Sequence, residues 1–152
     1  GAAGEGWCDR VPLDEITAFF FASEQFRRWG IRPDQSQALT RILFTADERR
    51  HGFGCGVRAG EELVCAAYFI RWGGRLIFLK GLANDAGRKI HAMHFLIDRI
   101  ISEHSGQDLL FDFAGTNDPD LSRFYMGFGG ERSVYLRALV NKLPFPLNLL
   151  RT

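Results

Sequence analysis

One carboxylate stands inside an otherwise apolar run, Leu109-Leu110-Phe111-Asp112-Phe113. Aimed into the open mouth of a sheet, Asp112 would have a raised pKa and could act as a base or a substrate ligand. Accepting backbone hydrogen bonds at a strand end, it would be structural. The chain has four histidines. His91 falls where a helix N-terminus would meet a phosphate, so it is either an anion ligand or plain surface. His94 shares a helical face with Ile90 and Ile97, as a core or border residue does. His51 and His104 end helices, where partial positive charge suits the dipole. Arg27-Arg28 and Arg49-Arg50 read as solvated faces, and Glu61-Glu62 as a hairpin tip whose other use would be to attract an amine. Tyr125 has an apolar body and a polar tip, which suits packing a short helix onto a sheet. No Ser-His-Asp order, HExxH or P-loop is present.

The three cysteines, Cys8, Cys55 and Cys65, form no CxxC pair, which argues against a structural zinc set or a disulfide framework. Cys55 and Cys65 lie in strand-like segments and are expected as core thiols in a reducing, cytoplasmic compartment. No metal is expected. The 19 basic and 18 acidic residues leave a net charge of +1, which gives no electrostatic case for nucleic acid or an anionic membrane. No apolar run approaches the ~20 residues of a membrane span. With 152 residues, 46% of them hydrophobic, the chain fits one domain able to bury roughly 70% of its unfolded surface. Its 14 Phe are the unusual count, expected to fill the core and to line an apolar groove.

Residues 1–11, opening Gly1-Ala2-Ala3-Gly4, are expected as a flexible leader and a poor strand former. Helical spacing predicts a helix over 12–29, ended by Gly30, and a second over 35–50 with Asp34 as N-cap. Segments 53–59, 62–72 and 75–83 are β-rich and joined at Gly60 and at Gly73-Gly74, which predicts an antiparallel meander. A helix over 87–105 follows, with Ile90, Met93, Ile97, Ile100 and Ile101 inward, then a buried strand over 108–113, a short helix over 119–126 and a last strand over 131–140. The piece 75–113 is a βαβ unit. The class is α/β (α+β): a mixed central sheet, antiparallel meander then βαβ, with helices on both faces. Because only the leader precedes residue 12, the strand at 53–59 is expected to present an open edge, with few residues to guard it. Residues 143–152, with Pro144 and Pro146, form an apolar tail. The open edge and the tail predict a homodimer or a second lobe.

This order resembles the GNAT acyltransferase superfamily over about residues 12–140, and the resemblance implies a domain over 12–142. The resemblance is carried by Asn117, by Phe124-Tyr125 on a short helix and by Gly129 after it. With Asp112-Phe113 and Gly115-Thr116 ahead, the segment is similar to the branch related to the peptidoglycan-bridge (Fem-type) aminoacyltransferases, although Ala114 stands where an acidic residue is common. The resemblance implies transfer of an acyl group from acetyl-CoA, or another acyl-CoA, to a small-molecule or peptide amine by direct attack. It also implies Tyr125 as the acid that protonates the departing thiolate, since a phenol and a thiol have similar pKa values. The oxyanion donor would be a backbone N–H within Leu82, Ala83 and Asn84. The coenzyme turn, aligned on Leu96, reads Arg88-Lys89-Ile90-His91-Ala92-Met93, with His91 and Met93 where the family has glycines. Gly87, Arg88 and Lys89 offer a basic anion site in a shifted register. Asn117 would join the coenzyme side. An aminoacyl-tRNA donor suits a near-neutral lobe poorly. The other reading is a non-catalytic lobe that serves substrate binding or assembly.

Overall fold

Two glycine turns set the centre of the molecule. Gly73 and Gly74 both hold positive φ (55° and 73°), the backbone of a tight hairpin that only glycine adopts without strain, and Gly60 does the same one hairpin earlier at 63°. The computed structural model describes residues 8–28, 30, 33–116 and 118–134. In chain order the elements are β1 (Cys8–Val11), α1 (Leu13–Ala22), α2 (Glu24–Arg28), α3 (Pro33–Glu48), β2 (Gly52–Ala59), β3 (Glu62–Trp72), β4 (Arg75–Ala83), α4 (Asp85–Lys89), α5 (Ala92–Glu103), β5 (Leu110–Asp112) and α6 (Pro119–Met126). The strands lie in the order β1-β2-β3-β4-β5, antiparallel except for the parallel pair β4 and β5.

Alternation along β3 splits the core in two. Cys65, Ala67 and Phe69 face α5, where Ala92, Leu96, Ile97 and Ile100 are buried; Ala66, Tyr68 and Ile70 face α1 and α3, where Ile16, Phe20, Leu43 and Ala46 are buried. Each large side chain fully buried in this way contributes about 1.5–3 kcal/mol. The Tyr68 hydroxyl donates to the Leu43 carbonyl at 3.1 Å, tying β3 to α3. Gly52 makes room for it, since a Cβ there would collide with the Tyr68 ring. Cys55 and Cys65 are buried free thiols. No helix among the described residues is long and apolar enough to cross a membrane.

Several boundaries differ from the sequence expectation. Residues Cys8–Val11 pair with β2 from Cys8↔Val57 to Val11↔Gly54, so the edge expected to be open is covered. Gly54 and Gly56 make this possible, because a Cβ at either would run into Ile16 or Val11. The first helix breaks at Ser23, whose hydroxyl accepts from the Phe26 N–H (3.1 Å) and starts a new helix. The next begins at Pro33, with Asp34 in its first turn rather than at its cap. The long helix after β4 is two, broken at Ile90-His91; Ile90 is 56% exposed instead of inward. β5 has three residues and Leu110 is 57% exposed, so among the described residues it is not the fully buried strand expected. Residues 131–134 carry no strand; the remainder of that expected strand and the tail lie outside the described residues.

Candidate active site

β4 and β5 part company early. They pair only as Arg75↔Leu110, Leu76↔Phe111 and Ile77↔Asp112, while β4 runs on to Ala83. The register of β4 against β3 shifts between Tyr68 and Phe69, leaving Leu79 as an extra residue. Such a bulge bends its strand and adds twist, which helps open the gap. The Asn84 N–H donates to the Val64 carbonyl at 3.0 Å, so the N–H at position 84 points toward β3. By the alternation of an antiparallel ladder, the N–H groups of Leu82 and Asn84 serve β3, and those of Ala83 and Gly81 project into the gap. Of the three backbone donors expected, Ala83 is therefore the one that faces it.

The helix break lies beside this gap. The Asn84 side chain caps α4, accepting from the Gly87 N–H at 2.9 Å. Gly87 is buried where a Cβ would strike the Val64 carbonyl, so its role is close packing of α4 on β3. Arg88 donates to the Ala83 carbonyl at 2.7 Å and also pairs with Asp85; Lys89, next to it, is exposed. His91 sits at the N-cap of α5 with φ 54°, the left-handed region that favours glycine, and its side chain does not cap the helix. The first N–H groups of α5, at Ala92 and Met93, have no intrahelical acceptor and point out of the helix start. That start is a ready-made anion site.

Tyr125 reaches the gap from α6. Asp118 caps this helix, accepting from the Asp120 and Leu121 N–H groups at 2.8 and 3.2 Å, with Pro119 following it. The Tyr125 ring stacks on Phe113 at 4.4 Å and meets Phe78 edge-on at 6.2 Å. Phe78 is the first β4 residue beyond the last β5 pair. Burial, and then the negative charge of Asp118, push the Tyr125 phenol above its ordinary value. The Tyr125 hydroxyl makes no hydrogen bond among the described residues.

Asp112 lies at the vertex of the gap. Its oxygens are engaged by Arg75 (3.0 Å) and by the Ala114 N–H (2.8 Å), the contacts of a strand-end anchor. His94 is a border residue, edge-on to Phe124 at 4.5 Å and to His91 at 5.8 Å, and so joins the start of α5 to α6. Asn117 lies outside the described residues. Two residues at the gap have no role assigned from the sequence. Phe113 stands there only as the neighbour of Asp112 in the resemblance, and its place at the gap is visible through its stacking on Tyr125. Lys80 could have been noticed as the one charged residue between Leu76 and Ala83. Among the described residues no cluster of His, Cys, Asp or Glu is fit to hold a metal.

The geometry can be set beside known proteins. No curated protein matches the sequence. Among solved structures, a possible acetyltransferase from Clostridium difficile 630 superposes with a TM-score of 0.64 at 10% identity, covering 91% of this chain and 98% of that one. A predicted acetyltransferase from Clostridium acetobutylicum, solved with acetyl-CoA, gives 0.61 at 14% identity, with 88% and 94% covered. An aminoglycoside antibiotic 6'-N-acetyltransferase from Acinetobacter baumannii gives 0.58 at 10%, with 89% and 99% covered. At these identities the likeness establishes the fold. Residues 7–122, which run from the start of β1 into α6, match the acetyltransferase (GNAT) domain, and the chain belongs to that family.

Proposed function

We propose that this GNAT domain is an N-acyltransferase that moves an acyl group from a coenzyme A thioester, acetyl-CoA first, to an amine. The observation that carries the reading is the gap itself. Ala83 and Gly81 turn their N–H groups into it, the start of α5 lies beside it, and Tyr125 packs on Phe78 at its edge. A thioester in the gap would set its carbonyl oxygen on the Ala83 N–H, and the pyrophosphate would meet the start of α5, with Lys89 near. As the amine attacks, charge grows on that oxygen where a fixed donor already points. The C–N bond forms, the C–S bond breaks, and the leaving thiolate takes the Tyr125 proton while the amine's proton passes to solvent. Gly87 and Arg88 hold the turn, Ala83, Lys89, His91, Ala92 and Asn117 carry the coenzyme side, and Asp112 acts through Arg75 rather than on substrate. The neighbour solved with acetyl-CoA supports the choice of donor. Asp112-Phe113 and Gly115-Thr116 favour the Fem-type branch within the family.

One observation favours a second reading, a non-catalytic lobe: His91 and Met93 place side chains where a coenzyme turn carries glycines. Calorimetric titration with acetyl-CoA separates the two. Micromolar binding supports the enzyme, and silence at millimolar ligand supports the lobe.

A further inference from the structure

The gap between β4 and β5 has two sides, and only one is taken by the chemistry above. Phe78, Met93, Phe113 and Tyr125 lie on the α5 side. The other side faces α1 and α3, and β4 contributes to it through its bulge. Leu79 and Lys80 stand together opposite Tyr68, so both lie on Tyr68's face of the sheet, and Leu79 packs in that core cluster. Lys80 is half-buried there, in the stretch of β4 that β5 no longer covers. The rest of β4 from Leu76 to Ala83 is apolar or glycine. A strand interior does not need an ammonium for packing, and half-burying one costs solvation. Burial accordingly lowers the Lys80 pKa from the ordinary lysine value.

We infer that Lys80 is the acceptor-side recognition group, and that the amine acceptor carries a carboxylate. This rests on the transferase reading. An acceptor entering from the α1–α3 side meets the Lys80 ammonium as it approaches the acyl carbon. That charge opposes a polycationic acceptor and pairs with a carboxylate close to the reacting amine. Lys80 is not an isolated charge in the protein, but an ammonium has three donors and can hold one protein partner while meeting a ligand. The chemical class is an amino acid or a similar amino-carboxylate.

The test uses the full chain, acetyl-CoA and matched acceptor pairs, phenylalanine against phenylalaninamide and 4-aminobutyrate against its amide, with kanamycin as the polycation. Coenzyme A release is followed at mildly alkaline pH. An α-amino amide is less basic than its acid and so more of it is unprotonated, which biases the phenylalanine pair against the expected result. The wild type is expected to take the carboxylate of at least one pair with kcat/KM about tenfold or more above its amide, mostly through KM. Lys80→Arg keeps that preference and Lys80→Met, checked for folding by circular dichroism, removes it. Preference for the amides or for kanamycin, a preference that persists in Lys80→Met, or no turnover despite acetyl-CoA binding would each overturn the role of Lys80. So would an acyl adduct found on Lys80 itself by peptide mass spectrometry. Absence of acetyl-CoA binding instead overturns the transferase reading, and the inference goes with it.

Discussion

A phenol serves as an acid only while it keeps its proton, and the surroundings of Tyr125 see to that. Burial and the Asp118 carboxylate both disfavour the phenolate, so Tyr125 stays protonated through the neutral range. Tyr125→Phe should lower kcat by about 10²-fold or more. Stability should barely move, because the stack on Phe113 survives and the hydroxyl has no hydrogen bond to lose among the described residues. Equal activity in the variant would remove Tyr125 from the mechanism. Asp112 is the contrasting case. Asp112→Asn should leave kcat within about twofold and cost no more than about 1 kcal/mol, since its Arg75 partner is 49% exposed. A collapse of activity with stability intact would make it a base after all. The short helix that carries Tyr125 was legible in the sequence. The state of Asp112 was not, because it is decided by Arg75 across a strand pair and by Ala114 two residues on, and no local pattern announces the first of these.

Elements were legible where turn chemistry and alternation agree. Glu62–Trp72 and Arg75–Ala83 fall where Gly73-Gly74 and a period of two place them, and Pro119–Met126 where Asp118-Pro119 starts a helix. β1 was hidden by the glycine-rich stretch before it, since what stabilises its four residues is the room that β2 glycines leave across the ladder. The break at Ser23 had a signal, a capping serine followed by Glu24, overruled by the apolar period running through it. The break at His91 had none. Its left-handed backbone costs a residue with a Cβ about 1–2 kcal/mol. His91→Gly relieves that strain and gives back part of it in chain entropy, so a gain of up to about 1 kcal/mol is expected by urea denaturation. Met93→Gly, inside the first turn of α5, should cost about 1 kcal/mol. If the two side chains crowd a pyrophosphate, the folded double variant binds acetyl-CoA more tightly than the wild type. Unchanged affinity would reject the alignment of this turn with the family's glycines.

On the scale of the whole molecule, one sheet separates two cores, and each contains a tyrosine. The expectation of a dimer loses its sheet-edge basis, because β1 covers β2; what is left of it rests on the tail at 143–152, outside the described residues. The two tyrosines give the molecule a pH signature instead. Burial, and then Asp47, push the Tyr68 phenol up to about 12, and Tyr125 is raised as well. In the unfolded chain both ionise near the ordinary value of about 10. A pKa raised by folding means that the unfolded state gives up its proton first. The stability these groups contribute is therefore complete below about pH 10 and drains away as pH climbs through the folded values. For Tyr68 the loss could reach about 2–3 kcal/mol at the top of that range. Tyr68→Phe should cost about 1 kcal/mol at neutral pH by orphaning the Leu43 carbonyl, and should flatten the alkaline decline. Urea midpoints of both proteins at about pH 8 and about pH 11 measure this directly. Parallel alkaline losses in the two would show that Tyr68 is not the group whose proton holds the α3 face on the sheet.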